Sequence, residues 1–402
     1  MRLAIVGAGT AGLSAALFLA RAGHAVELFE RVPEPGAVGA GILLQVTGQT
    51  ALARLGLLQE MLELGARVEG IRGRTLGGRA VLELAYRDLD PRLFGLGIHR
   101  GALFRLLYQA ARAEPGVQLR LGVEVASCPE VQGGRRILDA EGRPLGDYPL
   151  VIAADGARST LRAQTGQVRR ARRYPFGALW WMGPAQDASF SLDQVYDGAA
   201  EMLGFLPTGR LEPGGPPLIS LFYSVAEADL PALERAGLPA LKQRMLRLRP
   251  DAGAFLEPLQ RWEELSFAAY HDAALRQPYA PGLVVIGDAL HAMSPQLGNG
   301  ANLALLDAML FAEALEAAGG AVEAAQRSFA DARRGHHAYY RWATRFLTPF
   351  FQSRSRVLGW LRDAFMGGFC RVPLFRAMML RSLAGGATGL FSELPERLRL
   401  GR

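Results

Sequence analysis

Residues 2–31 read RLAIVGAGTAGLSAALFLARAGHAVELFER, and the fold follows from this stretch. Leu3 to Val6 is a short apolar run of the length of a buried strand. A glycine turn follows, Leu13 to Ala22 reads as a buried apolar helix closed by Gly23, and AVELFER reads as a second strand. Strand, turn, helix and strand form a βαβ unit. Gly7, Gly9 and Gly12 stand at GxGxxG spacing in the turn, where they permit the tight bend, approach of the backbone to a pyrophosphate, and close helix-to-strand packing. The helix N-terminus then offers unpaired N–H groups and partial positive charge to phosphate. Glu30 closes the second strand, at the place and with the charge to accept hydrogen bonds from a ribose. The unit alone fits FAD and NAD equally.

Outward from this unit, 402 residues suggest two to three compact bodies. Pro33 to Gly41 predicts an irregular loop, Gly48 to Leu64 a helix, residues 67–97 short strands, and the stretch from Arg100 a second helix. QLRLGVEVASC, RRILDA and PLVIAADG read as further strands. From about Val168 to Ala274, aromatic and β-branched runs predict a largely β segment with a helix over Leu238 to Leu248. The α/β pattern returns with GLVVIGD and a long helix from Gly300 to Ala318. The expected architecture is α/β: a discontinuous Rossmann-type domain (1–72, 98–167 and 275–330), an inserted mainly β substrate domain (73–97 and 168–274), and a helical C-terminal tail (331–402) broken at Pro349, Gly367 to Gly368 and Pro373.

No run of about 18 uncharged apolar residues is present, so no spanning helix is expected. The first strand starts almost at the initiator Met, which leaves no room for a leader. Two cysteines, Cys128 and Cys370, suit a reducing compartment, and the cytoplasm is the expected location. The net charge of +7 is uneven, with 13 Arg against Asp363, Glu393 and Glu396 in residues 333–402. No zinc finger, homeodomain or RNA-recognition pattern accompanies that charge, so no nucleic-acid partner is expected. No HExxH or other metal-ligand set is visible, and no metal is expected.

Two later segments decide the cofactor. PLVIAADGARSTLR (149–162) and GLVVIGDALHAMSPQLGNGANLALLDA (282–308), with the N-terminal glycines, resemble the three motifs of the flavoprotein aromatic hydroxylases, the family of p-hydroxybenzoate hydroxylase. The resemblance spans residues 3 to about 315 and implies a Rossmann-type FAD-binding domain. It places Gly7, Gly9, Ala11, Gly12, Glu30, Arg31, Gly41, Arg100, Val125, Asp155, Asp288, Pro295, Gly298, Gly300, Ala301 and Asn302 at the cofactor. Asp155 and Asp288 each end an apolar strand, at the carboxyl edge where ligands of open α/β sheets bind. Asp155 and Arg162 would lie beside the pyrophosphate, Asp288 would accept from the ribityl chain, and the helix starting near Ala301 would face the flavin pyrimidine ring. Pro295 would flank the oxygen-bearing face, and Ser159 could cap a helix. His291 matches the family's GD-x-x-H pattern, although a lone His is more often structural. Gly39, Gly41 and Gln45 resemble a mobile loop near the isoalloxazine. Val46 and Thr47 replace the family's usual Pro-Asn pair, so the substrate end of that loop departs from the pattern.

The resemblance further implies an enzyme in which NAD(P)H reduces FAD and a hydroperoxide at flavin carbon 4a hydroxylates an aromatic, phenolic or polyprenyl-type substrate. Catalytic side chains would be few, since the cofactor carries the chemistry. Trp180, Trp181, Met182, Phe205, Phe222 and Tyr223 are candidates for the wall of the substrate cavity, with Gln45, Trp181 and Phe222 favoured for contact with substrate, although period-2 alternation turns about half of such strand residues into a core. Residues 340–391 interleave Arg with Trp, Phe, Leu and Met, a pattern that suits peripheral contact with the inner face of a membrane as well as packing on the catalytic body. Competing readings are a non-hydroxylating FAD oxidoreductase of polyprenyl reductase or halogenase type, and an FAD-binding sensor without turnover.

Overall fold

The computed structural model describes residues 1–36, 39–185 and 191–398. Its first sheet has six strands in the order Tyr279–Ala280, Leu283–Val285, Val151–Ala153, Arg2–Val6, Ala25–Glu30 and Val117–Leu121. All neighbours run parallel except the Tyr279–Ala280 edge. The central strands are continuous apolar runs because both faces are covered, as parallel sheets require. Helices Thr10–Arg21, Arg100–Ala113 and Gly300–Ala317 pack on one face. Residues from a small antiparallel sheet, among them Val125, Ile137 and Tyr148, pack on the other.

Register decides the site. Val6 pairs with Ala153 and Phe29, and Ala153 pairs with Val285. Three strands therefore end at one level, and Gly7, Asp155 and the Gly287–Asp288 turn emerge together from the carboxyl edge.

The second large sheet has seven strands in the order Ser266–Leu275, Val168–Pro184, Leu218–Ala226, Glu201–Gly209, Ser191–Asp197, Gly70–Thr75 and Ala80–Ala85. Residues 70–85 thus join it across the sequence, with Gly70–Thr75 parallel to Ser191–Asp197. One face is covered by helices Leu230–Leu248 and Gly253–Leu256. The other meets Leu43, Phe351 and Met366. A three-stranded sheet of Gly41–Leu44, Gly95–His99 and Ala66–Val68 stands between the two large sheets, tied to the second by the Gly41 N–H donating to Ser220 Oγ at 3.0 Å.

Three expectations change. The helix expected over Gly48–Leu64 is two helices, Val46–Arg54 and Leu58–Leu64, separated at Gly56 with φ +67°. The helix expected from Leu238 begins at Leu230 and bends at Gly237, whose φ is +81°. Neither Pro349 nor the Gly367–Gly368 pair breaks the tail where expected: Pro349 lies inside the helix Val322–Phe351 and the two glycines inside the helix Arg356–Phe369. A Cβ on Gly367 would come within 2.3 Å of the Ala80 carbonyl oxygen, so this glycine serves close packing against the strand.

Candidate active site

The three glycine-bearing segments lock into one another at the carboxyl edge. Gly7 has φ +104°, and a Cβ there would lie 2.5 Å from Ala154 O. A Cβ on Gly12 would fall 1.8 Å from Gly7 O, and one on Gly287 would fall 2.7 Å from Ala11 Cβ. Each approach excludes a side chain, which accounts for glycine at these positions. Gly9 differs, since an added Cβ meets nothing within 4 Å. It is the N-cap of Thr10–Arg21, a helix with no side-chain cap and no acidic residue in its first turn. Gly300–Ala317 likewise starts without a side-chain cap or an acid. Two long helices thus present bare N-termini at the same sheet edge, an arrangement that favours anionic or strongly accepting groups.

The carboxylates divide the rim. Glu30 accepts from Ala8 N–H and Val32 N–H, both at 2.9 Å, and bridges the glycine loop to the end of its own strand. Arg31 beside it is exposed. Asp155 Oδ2 accepts from the N–H groups of Thr160 and Leu161 at 2.9 and 3.2 Å. Its Oδ1 is buried without a partner among the described residues. Ser159 Oγ accepts from Arg162 N–H at 2.9 Å but does not cap the short helix Leu161–Thr165, whose N-cap is Thr160. The Arg162 guanidinium turns back under the loop to the carbonyls of Gly156 and Ala157, and its burial lowers its pKa against the attraction of Asp155 and Asp288. Asp288 is exposed at the start of Asp288–His291, near the bare N-terminus at Gly300. Pro295 is exposed, Gly298 takes φ +61°, and Ala301 lies in the first turn of the long helix. Val125 is buried at the start of Val125–Ser127, in the core beneath the sheet.

Asn302 joins the last motif to the early loop. Its Oδ1 accepts from Gln45 N–H at 2.8 Å, and its Nδ2 donates to Leu43 O and Gly298 O. Gln45 is fully buried, accepts from Tyr86 Oη, and keeps its Nε2 without a partner among the described residues. Gly39 lies against the aliphatic stem of Arg100, whose N–H donates to Ala40 O. The Arg100 side chain is exposed.

Strand alternation sorts the aromatic candidates. Phe222 lies on the face that meets the three-stranded sheet, together with Ser220, Ser224 and Thr208, and its ring is 5.0 Å from that of Trp180. Trp181 points the other way and packs edge-on against Phe255 under the covering helices. The expectation of a substrate-facing Trp181 is therefore corrected: a one-residue step in a strand reverses the face, and of the two tryptophan candidates it is Trp180 that lies toward the three-stranded sheet.

Sequence reading also missed a buried polar string. Ser294 Oγ donates to Gln352 Oε1 at 3.0 Å, and Gln352 Nε2 donates to Ser224 Oγ at 3.2 Å, joining the residue before Pro295 to the β-sheet through the tail. Gln352 lies outside every motif, so nothing local in the sequence marks it.

Beneath the Gly287–Asp288 turn, Asp307 is fully buried and saturated. Its oxygens accept from Gly287 N–H at 3.0 Å and lie 2.8 Å from His291 Nε2, Arg333 Nε and His337 Nε2. Burial opposes its ionisation, but His337, Arg333 and His291 together hold its carboxyl well below the usual range. His291, Asp307 and His337 are spaced as a metal set would be. The Arg333 guanidinium on the same carboxylate makes the cluster a poor cation site, since a metal ion would sit beside a buried positive charge. His291 is a structural member of this network.

These features fit a dinucleotide: an open position at Gly9 above a bare helix N-terminus, an unpartnered Asp155 oxygen, and a second bare N-terminus beside Asp288. A family model described as FAD binding domain matches residues 1–337. The chain is 30% identical over 359 residues to the 3-amino-4-hydroxybenzoate 2-monooxygenase of Streptomyces cremeus, covering 83% of each chain. It is 30% identical over 353 residues to a kynurenine 3-monooxygenase of Salinispora arenicola, covering 79% of this chain and 72% of that one. The crystal structure of PqsL, a probable FAD-dependent monooxygenase of Pseudomonas aeruginosa, shares the fold with a TM-score of 0.77 at 22% identity, covering 91% of this chain and 99% of that one. The match over the glycine turn, both internal motifs and the sheet that aligns them means that the chain belongs to the family of flavoproteins built on this FAD-binding domain.

Proposed function

We propose that this flavoprotein is an NAD(P)H-dependent monooxygenase that places one atom of O₂ on an electron-rich aromatic ring carrying hydroxyl or amino groups. The observation that carries the reading is the meeting of two uncapped helix N-termini and two strand-end carboxylates at one edge of the parallel sheet. Bound FAD supplies the redox chemistry, taking two electrons from NAD(P)H and activating O₂ so that one oxygen reaches the ring and the other leaves as water.

The protein's task is binding, orientation and exclusion of water. Gly9 and Ala11 leave room for the pyrophosphate at the first helix, with Gly7 and Gly12 shaping the turn beneath it. Glu30 turns from its backbone partners to a ribose, and Arg31 flanks that end, while Val125 packs in the core beneath the sheet. Asp155 with Arg162 borders the phosphates. Asp288 accepts from the ribityl hydroxyls. Gly300, Ala301 and Asn302 present backbone donors to the pyrimidine edge of the flavin, and Gly298, whose own N–H is held by the Pro295 carbonyl, shapes the turn before them. Gly41 and Arg100 line the loop beside it, Gln45 reaches the substrate end, and Pro295 borders the face where oxygen reacts. Phe222 with Trp180 forms the apolar wall against which an aromatic ring stacks. A ring substrate is favoured over a polyprenyl chain because the Streptomyces relative is a 3-amino-4-hydroxybenzoate 2-monooxygenase. A polyprenyl reductase or a sensor without turnover finds no comparable support.

The test is the visible spectrum of the purified protein, followed by NAD(P)H oxidation against a panel of phenols and anilines with product mass and peroxide recorded. Substrate-stimulated oxidation with a product heavier by one oxygen supports the proposal. Bound flavin with only peroxide formed across the panel would set it aside. Asp288→Ala is expected to weaken FAD roughly 10- to 100-fold, the loss of hydrogen bonds to a charged acceptor worth about 1.5–3 kcal/mol. Flavin titration of the apoprotein measures it, and unchanged affinity would remove Asp288 from the site.

The corrected strand orientation gives a paired prediction. Phe222→Ala should raise KM for the ring and divert reducing equivalents to peroxide, with little loss of flavin. Trp181→Ala should cost about 3–5 kcal/mol of stability through an emptied core position, yet leave the ratio of product to peroxide unchanged. Denaturation midpoints and coupling ratios for the two variants test this, and the reverse assignment would show that Trp181 faces the substrate.

A further inference from the structure

Helix Arg356–Phe369 is amphipathic the wrong way round for a helix that ends at solvent. Its inward face carries Gly359 against Gly198 and Ala199, Gly367 against Ala80, and Arg362, which is fully buried. Arg362 donates to the carbonyls of Gly198 and Phe350 and to Asp363, and lies over the rings of Tyr196 and Phe351. The outward face carries Val357 (65% exposed), Trp360 (63%), Phe365 (52%) and Phe369 (48%). A surface helix normally turns its apolar stripe inward. The exposed apolar surface continues through Leu374 and Phe375 on Pro373–Leu383 and through Trp342 and Phe346 on the preceding helix. Scattered exposed apolar residues are ordinary; a run of large aromatics on three successive helices marks an interaction surface.

We propose that this face docks on an anionic lipid surface, with Arg356–Phe369 lying in the headgroup layer. The charges select the partner. Residues 340–391 contain eight Arg and one carboxylate, Asp363, and Asp363 is committed to Arg362. Arg345, Arg354, Arg376 and Arg381 pair with Asp272, Asp229, Asp88 and Glu393 elsewhere in the chain. Arg341, Arg356 and Arg371 have no acidic partner among the described residues, and Arg356 and Arg371 are exposed at the two ends of the apolar helix. Trp and Phe at headgroup depth with Arg reaching lipid phosphates is the composition of an interfacial helix. Two copies of the chain meeting through this face would set these Arg side chains against each other with no free carboxylate from the segment between them. No helix among the described residues is long and apolar enough to cross a membrane, so the contact lies on the bilayer and not through it.

The docking goes beyond the flavin chemistry and stands apart from it. The test is flotation of the full-length, FAD-loaded protein with vesicles of phosphatidylcholine alone or with about one third phosphatidylglycerol. Partition into the anionic vesicles should be at least about tenfold stronger and should fall with salt. A Trp360→Glu/Phe365→Glu variant should lose at least about tenfold of that partition while keeping its flavin spectrum, because both side chains are exposed and support no core. Arg356→Glu and Arg371→Glu should each weaken it roughly fivefold or more. Failure of the wild type to float with anionic vesicles would overturn the proposal. So would a dimer, detected by light scattering, that the Trp360→Glu/Phe365→Glu variant dissociates, since a second copy would then cover the face. Flavin content is read in the same samples, so loss of docking and loss of FAD binding are told apart.

Discussion

Gly9→Trp is expected to give a folded protein that purifies without yellow colour. The backbone at Gly9, φ −79° and ψ −173°, is open to any L residue, and an added Cβ meets nothing within 4 Å. The substitution therefore costs the fold little. An indole at this N-cap instead fills the space above the first turn of Thr10–Arg21, where the pyrophosphate must approach to receive the N–H groups. Loss of two charge-assisted hydrogen bonds at about 1.5–3 kcal/mol each predicts FAD affinity reduced by more than about 100-fold. Gly12→Val is the control with the opposite cause. Its Cβ would sit 1.8 Å from Gly7 O, a backbone atom that cannot yield without moving the strand end. That variant should lose the fold as well as the flavin. Absorbance of the purified proteins, FAD titration and melting temperatures against the wild-type apoprotein separate the two. A Gly9→Trp protein with full flavin content would place the pyrophosphate elsewhere.

The contrast between Gly9 and Gly12 shows what a sequence can and cannot convey. GxGxxG marks three positions where a side chain is unwelcome, and the spacing is local, so the turn, the helix and the strand were legible from thirty residues. The strand-end acids Asp155 and Asp288 were legible for the same reason, because an apolar run that stops at a carboxylate announces a sheet edge. Which glycine serves the fold and which the ligand depends on atoms far along the chain, Ala154 for Gly7 and open space for Gly9. The substrate wall was less legible. An extended run such as ALWWMG shows alternation but not its phase, and the phase is set by pairing with Leu218–Ala226. Of the candidate pair, Trp181 turns away from the three-stranded sheet on that account and Trp180 turns toward it. The glycine pair in the tail misled in a similar way, since Gly367 meets a strand nearly three hundred residues earlier. Gln352 and the Asp307 network were beyond local reading, because each joins elements that touch only after the chain has folded.

That network sets the last and largest stability effect. Asp307→Ala is expected to destabilise the protein by about 3–5 kcal/mol, because Arg333 is fully buried and would lose its counter-charge. Gly287 N–H, which donates to Asp307, would be orphaned in the same step and the turn bearing Asp288 freed, so flavin should be held more weakly as well. The surrounding histidines give the pH dependence. Burial, reinforced by Arg333, holds His336 well below its ordinary range, and burial pushes His337 down to about 3 despite the attraction of Asp307. In the unfolded chain both bind a proton below about pH 6.5, whereas in the fold they do not. The stability present above pH 6.5 is therefore lost as pH falls, by about 1.4 kcal/mol per unit toward 3 for His337 and in the same direction for His336. His337 predicts about 2 kcal/mol less stability at pH 5 than above pH 7, and His336 adds to the loss in the same direction. The depressed carboxyl of Asp307 adds to the loss only below about pH 4, where the unfolded carboxyl takes up its proton. Denaturant midpoints at pH 7.5 and 5.0, for the wild type and a His336→Gln/His337→Gln variant, measure the effect. The variant should be less stable at neutral pH but much flatter with pH. Equal wild-type midpoints at the two pH values would mean that these histidines carry charge inside the fold, His337 beside Asp307 and His336 against Arg333.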